Sequence, residues 1–255
     1  MSIIDELVLF SAGSGNDEHY KNLWVKGASL FIPQINQLIN INKDYNFIIN
    51  DIYQYLQYED YERLGNILEK NGSDKSTNHN YHIFYSYAFN KLNNVNENKI
   101  INILEIGLGT NNPTLVSTMG SRGKPGASLY AFREYLPNLN IYGADIDKNI
   151  LFESERIKTC YVDQLDIKSF DNISNSFKNI KYDLIIDDGL HSIGANFNTL
   201  LFALKNINKG GWIIIEDIHI IENWKSIDFI LSSNPDYKTY AISALKGYLY
   251  AINKL

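Results

Sequence analysis

The stretch Asn102-Ile-Leu-Glu-Ile-Gly-Leu-Gly109 decides the fold class. Ile100 and Ile101, followed by Ile103 and Leu104, form a short apolar run of the kind that fills a buried parallel strand. Glu105, Gly107 and Gly109 come at its carboxyl end. Open α/β sheets bind ligands beyond such strand ends, where strand order reverses. Glycine there permits φ > 0 and a close approach of backbone to ligand. A dinucleotide fingerprint would need a third glycine at 112, where the chain has Asn112. A helix N-terminus built for a pyrophosphate is therefore poorly supported. A carboxylate beside the glycines suits a cationic ligand better, one with an amino group or a sulfonium.

Working outward, four further segments repeat the pattern. Asn140-Ile-Tyr-Gly-Ala-Asp145 reads as a second strand ending in an acid, the position that holds a ribose diol in sheets of this kind. Cys160-Tyr-Val-Asp163-Gln164-Leu-Asp166 reads as a third strand and its polar edge. Tyr182-Asp-Leu-Ile-Ile-Asp-Asp188-Gly reads as a fourth, and Gly210-Gly-Trp-Ile-Ile-Ile-Glu216-Asp217 as a fifth.

These motifs together resemble the class I S-adenosylmethionine (SAM)-dependent methyltransferases. Within that class the chain is similar to the metal-dependent sugar O-methyltransferases of macrolide and cephalosporin biosynthesis and their relatives in bacterial surface-glycan clusters. The likeness is carried by Glu105-Ile-Gly-Leu-Gly109, Gly126-Ala-Ser-Leu129, Gly143-Ala-Asp-Ile-Asp147, Ile186-Asp-Asp-Gly-Leu-His191 and Gly210–Asp217. An upstream element, Gly72-Ser-Asp-Lys75-Ser with His79, Tyr81 and Tyr85, belongs to it as well. It implies an α/β, Rossmann-like, seven-stranded and mostly parallel sheet in the order 3-2-1-4-5-7-6, with helices on both faces. It also implies SAM held by Glu105, Gly107, Gly109, Ser128, Asp145, Asp163 and Gln164.

Composition bounds the remaining possibilities. A chain of 255 residues with 45% hydrophobic content has enough apolar mass for a real core. A net charge of −6 argues against a nucleic-acid partner, which needs a basic face. Cys160 is the single cysteine, so no intrachain disulfide forms. No stretch is long enough to span a bilayer, and Asp5 and Glu6 stand where a signal peptide carries basic residues. The expectation is a cytoplasmic protein with no nucleic-acid or membrane partner and a homo-oligomeric state; the resemblance adds a SAM O-methyltransferase whose small-molecule acceptor is a sugar, nucleotide-linked or capsule-precursor hydroxyl, or a phosphate-type oxygen.

Along the chain, residues 1–70 read as an N-terminal helical extension and 71–255 as the methyltransferase domain. Ser11–Asp17 is a turn cluster. Residues 46–70 suggest two helices, the second with Tyr61, Leu64 and Leu68 on one face. The dense tyrosines Tyr45, Tyr53, Tyr55, Tyr58 and Tyr61 fit either a helical cover on the sheet or an interface. Residues 71–82 read as a surface loop or as a loop over the ligand. A helix follows at 83–92. The long connection Thr110–Gly126 is of a length that usually carries function, and Ser128 is placed to cap a helix at 129–136. A helix and turns fill 148–181. Helices are expected at 192–207, ended by Lys209-Gly210-Gly211, and at 220–232. Lys238–Ser243 and Tyr248–Asn253 straddle Lys246-Gly247 as a hairpin.

The chemistry concentrates on strands four and five. Asp188 and Glu216 are 28 residues apart, one helix plus one strand. Adjacent parallel strands thus bring Asp188, Glu216 and Asp217 to one edge. Bare carboxylates so close repel unless a cation sits among them. Oxygen ligands with open positions suit Mg²⁺, or Mn²⁺; the alternative is acids that merely cap helices or meet solvent. The resemblance implies metal ligation by these three, with Asp188 and His191 as catalytic residues. His191 is then a base near its operating pH, or otherwise a histidine bonded to a backbone carbonyl. Asp187 reads as a neighbour of the site, His219 as a lesser candidate for the acceptor pocket, and Cys160 as core. A nicotinamide dehydrogenase and a non-catalytic SAM-binding protein are the competing functions.

Overall fold

In the computed structural model, residues 33–41, 44–57, 60–95 and 99–255 are described. The turn cluster expected at Ser11–Asp17, the N-terminal residues and Tyr58 lie outside them. Two units separate, one comprising Ile48–His219 with Pro235–Leu255, the other Met1–Phe47 with Ile220–Asn234.

The first unit is built on a mixed sheet. Its strands are β1 (Ile49–Asp51), β2 (Ile101–Ile106), β3 (Leu139–Asp145), β4 (Glu153–Ser154), β5 (Ile157–Tyr161), β6 (Tyr182–Asp187), β7 (Ile207–Ile218), β8 (Tyr237–Ser243) and β9 (Tyr248–Lys254). They lie side by side as β1-β8-β9-β7-β6-β2-β3-β5-β4. The expected count of seven is therefore corrected to nine among the described residues. The two extra strands are short and sit at the edges: β1 pairs parallel to β8, and β4 antiparallel to β5. With those two set aside, the order β5-β3-β2-β6-β7-β9-β8 is 3-2-1-4-5-7-6 counted along the chain. β2, β6 and the central part of β7 are buried almost throughout, as strands covered on both faces must be.

Helices α1 (Tyr61–Asn71), α2 (His82–Val95), α3 (Ala127–Tyr135), α4 (Asp171–Ser176) and α5 (Ile193–Asn206) complete this unit. Leu64 and Leu68 of α1, Phe84, Tyr85 and Phe89 of α2, and Phe132 of α3 share one core with Ile103 and Trp212 of the sheet. The tyrosines Tyr81, Tyr85 and Tyr135 are core residues here, and Tyr55 meets Phe84 edge-on at 4.9 Å.

Several local expectations are corrected. The first of the two helices expected at 46–70 is instead strand β1 followed by a 3-10 turn, Ile52–Tyr55. The Asp51 carboxylate accepts from the Tyr53 N–H at 2.9 Å, which ends the strand and starts the turn. Ser128 does not cap α3: the cap is Gly126, in the left-handed region, and Ser128 lies inside the first turn. Lys209-Gly210-Gly211 does not end α5 either. The helix stops at Asn206 and β7 starts at Ile207, with the glycines in a bulge where Tyr182 pairs with Ile207 but Leu184 with Trp212. Gly210 supplies the φ of +82° that this bulge needs.

In the second unit, a helix over 33–39 accompanies a 3-10 turn, Ile221–Trp224, and helix α6 (Lys225–Ser232). These last two stand where one continuous helix, 220–232, was expected. Tyr45 Oη donates to Asp228 Oδ2 at 2.6 Å, and its ring meets Phe229 edge-on at 5.1 Å. No helix among the described residues is long and apolar enough to cross a membrane.

Candidate active site

The carboxyl ends of β2, β3, β6 and β7 open on a cavity of about 620 Å³. Its walls include Gly107, Gly109, Ser128, Asp145, Asp163, Gln164, Asp188, His191, Glu216 and Asp217, all residues singled out from the sequence. The loop Thr110–Gly126 adds Leu115, Met119 and Arg122 to the lining.

A bulge in β7 shapes the chemical centre. Ile215 pairs with Tyr250 but Ile218 with Tyr248, so Glu216 and Asp217 of β7 together face the single Leu249 of β9. Asp217 sits in that bulge at φ +53°. Bulges re-aim side chains, and this one sends neighbouring acids to different partners. Asp217 Oδ1 accepts from Tyr81 Oη at 2.6 Å, while Oδ2 lies 3.6 Å from His191 Nε2. His191 has φ +55° and its Nε2 is 3.9 Å from Asp188 Oδ1. Two non-glycine residues held left-handed within one cluster is local strain of the kind found at functional sites. Donor atoms of Asp188, His191 and Asp217 all lie within 4.8 Å of one another. The buried His191 Nδ1 has no hydrogen-bond partner, so the backbone-carbonyl alternative does not describe this ring.

Glu216 turns the other way. It is 1% exposed; Tyr85 Oη donates to its Oε1, and Lys75 Nζ lies 2.8 Å from its Oε2. Lys75 also reaches Asp188 Oδ2 at 2.5 Å and Glu105 Oε1 at 3.2 Å. Burial alone would discharge the ammonium, but Asp188, Glu216 and Glu105 together outweigh it and hold Lys75 protonated. For Glu216 and Glu105 burial wins, and both carboxyls stand above the usual carboxylate range despite Lys75. Lys75 is the residue whose part the sequence reading missed. The signal was present, since several acids on one edge demand a cation and Lys75 lies in the upstream element.

The other sequence-derived residues divide into two groups. Asp145, 6% exposed, faces the cavity and accepts from the Leu108 N–H at 2.7 Å and the Asp147 N–H at 2.8 Å. Its burial raises its pKa. Asp163 faces the cavity and accepts from Leu165 N–H at 2.9 Å. By contrast, Glu105 is fully buried and does not line the cavity; Ser128 Oγ donates to it at 2.7 Å. Gln164 spends its side chain inside the protein, donating to Asp187 Oδ1 and Thr199 Oγ1 and accepting from Leu190 N–H at 2.7 Å. Gly107, at φ +94°, is required by packing: a Cβ there would meet the Asp188 carbonyl oxygen at 2.0 Å. Asp187 is buried and held by Gln164 and Asn196, while His219 is exposed and lines no part of the cavity. Cys160 is buried on β5, as expected.

No family model matches the chain. Among curated proteins it is similar to mycinamicin VI 2''-O-methyltransferase of Micromonospora griseorubida, 32% identical over 124 residues, 48% of this chain and 28% of that protein. It is also similar to 8-demethyl-8-α-L-rhamnosyl tetracenomycin-C 2'-O-methyltransferase of Streptomyces olivaceus, 28% identical over 156 residues, 61% of this chain and 37% of that protein. The chain thus spans about a third of the length of the curated relatives it matches. Among solved structures, the MycE methyltransferase from the mycinamycin pathway, in complex with Mg and SAH, superposes with a TM-score of 0.56. That match is 19% identical and covers 75% of this chain and 53% of the other, a likeness of fold. This chain therefore has the class I methyltransferase fold and is similar in sequence to O-methyltransferases of mycinamicin and rhamnosyl tetracenomycin.

Proposed function

We propose that this protein is a metal-dependent SAM O-methyltransferase acting on a hydroxyl of a sugar or sugar-bearing small molecule. The observation that carries the reading is the grouping of Asp188, His191 and Asp217 on the wall of the cavity beyond the parallel strand ends. Similarity to enzymes that methylate glycosylated compounds supports the acceptor class.

The residues present fit both absent groups. Asp145 and Asp163 lie beside the aliphatic Ile146, Val162 and Leu165 on one wall, acids next to apolar surface as a ribose and a flat base require. Asp188 and Asp217 offer hard oxygen donors beside His191 on the cavity wall, and Glu216, which also lines it, joins them once Lys75 releases it. Asp188, Asp217 and Glu216 would hold the cation. When bound, SAM supplies an electrophilic methyl group and the cation acidifies and orients the acceptor hydroxyl.

The chain's own residues do the rest. Asp145 and Asp163 orient the donor, with Ser128 and Glu105 bracing the wall behind it. His191 accepts the hydroxyl proton at Nε2 as the acceptor oxygen takes the methyl group from the sulfonium, which leaves as the neutral thioether. Tyr81 fixes Asp217 by a hydrogen bond, so the carboxylate is oriented before any ligand arrives. The loop Thr110–Gly126 contributes Leu115 and Met119 to the cavity lining. Turnover of radiolabelled SAM against a panel of sugars and nucleotide sugars tests the reading. Transfer should stop after EDTA treatment and return with Mg²⁺ or Mn²⁺. Undiminished transfer in EDTA would remove the metal from the mechanism.

A further inference from the structure

Lys75 has no assigned role in methyl transfer, yet it occupies the centre of the carboxylate cluster. Its side chain is 2% exposed and reaches the cavity wall. The ammonium engages Asp188 Oδ2 and Glu216 Oε2, while Tyr85 occupies Glu216 Oε1. Both oxygens of Glu216 are thereby spent inside the protein, and one oxygen of Asp188 with them. Only Asp188 Oδ1 and Asp217 Oδ2 are left in the cavity-side cluster with His191.

We propose that Lys75 is a resident counter-cation that competes with the divalent metal ion for the carboxylates of Glu216 and Asp188. This inference rests on the metal-dependent reading above. Ligation by all three acids requires Lys75 to release Glu216. The structure also offers the ammonium somewhere to go. Glu105 Oε1 is buried, already paired with Nζ at 3.2 Å, and has no hydrogen-bond donor of its own. A lysine head on a flexible four-carbon stem, with three donors, can turn from Glu216 to Glu105 without leaving the cluster. The exchange keeps the acids neutralised when no metal is present, which bare carboxylates in this burial could not sustain. It also joins the metal-side acids of β6 and β7 to Glu105 on β2, beneath the donor-side wall.

The test is Mn²⁺ affinity, measured by electron paramagnetic resonance and calorimetry on the full chain without SAM. Lys75→Met and Lys75→Gln delete the charge a few ångströms from the metal position. Each should bind Mn²⁺ at least about tenfold more tightly than wild type. Equal or weaker binding in a folded variant would overturn the proposal and make Lys75 a scaffold for the site. No Mn²⁺ binding by wild type would instead overturn the metal reading itself. Should neither variant fold, the wild-type protein decides the matter by ¹⁵N NMR of lysine ammonium groups. Saturating Mg²⁺ should shift the slowly exchanging signal of the buried Lys75, and an unmoved signal would count against the exchange.

Discussion

Replacing Tyr85 by Phe isolates one bond in the buried cluster. Tyr85 is fully buried and its hydroxyl donates to Glu216 Oε1, itself inaccessible to water. The ring packs against Phe132 at 5.7 Å and Phe89 at 6.5 Å, contacts that phenylalanine keeps. The substitution therefore opens no cavity and strands a single acceptor. A hydrogen bond to a charged group contributes roughly 1.5–3 kcal/mol, against about 1 for a neutral one. Lys75 Nζ lies 2.8 Å from the other oxygen and already shares the charge of this carboxyl, so a value in the lower part of that range, near 2 kcal/mol, follows. For a protein of this size that lowers Tm by about 4–8 °C. Urea unfolding at pH 7 should show a lower midpoint with an unchanged slope. Tyr142→Phe is the control, because burial is the sole cause acting on that hydroxyl; its stability should stay within about 0.5 kcal/mol of wild type. A double-mutant cycle with Glu216→Gln should return at least about 1 kcal/mol of coupling. Stability of Tyr85→Phe within about 0.5 kcal/mol of wild type would show the hydroxyl to be dispensable to Glu216.

Three further outcomes are expected. Cys160 is buried on β5 and its thiol is pushed up to about 12, so the native protein should resist Ellman's reagent at pH 8 until it is unfolded; immediate stoichiometric labelling would contradict that burial. Burial lowers the His82 pKa, so the unfolded chain takes up this proton first, and stability should fall as pH drops below about 6.5. His82→Gln should flatten that part of the stability–pH curve, and an unchanged slope would discount the histidine. His191→Ala should lower kcat at least about 10²-fold while SAM and Mn²⁺ affinities stay within about threefold, and lost metal binding would make His191 a ligand rather than a base.

The sheet was legible because its signals are local. Each buried strand is an apolar run with an acid or glycine at its end, and Gly107 is demanded by the Asp188 carbonyl 2.0 Å away from its would-be Cβ. Edge strands gave weaker signals: β1 is three residues long and defined by pairing with Ala241–Ser243, far off in sequence. The glycine pair at 210–211 was misassigned because a bulge inside a strand and a helix stop use the same residue for the same φ. In the site, spacing alone brought Asp188, Glu216, Asp217 and His191 to one edge. It could not say that a bulge in β7 turns Glu216 toward Lys75 and Asp217 toward His191, which depends on pairing with β9. The acids' demand for a cation was legible, but not that Lys75 meets it, because Lys75 reaches them from a turn more than a hundred residues before Asp188.

The most direct test of the account is calorimetric titration of the protein with SAM in the presence of Mg²⁺, beside the same titration with NAD. SAM should bind with one-to-one stoichiometry and NAD should give no heat. Asp145→Asn should weaken SAM roughly ten- to a hundredfold, the loss of about one charge-assisted bond or a pair of them. Failure to bind SAM at millimolar concentration, or an affinity that a folded Asp145→Asn variant leaves unchanged, would contradict it.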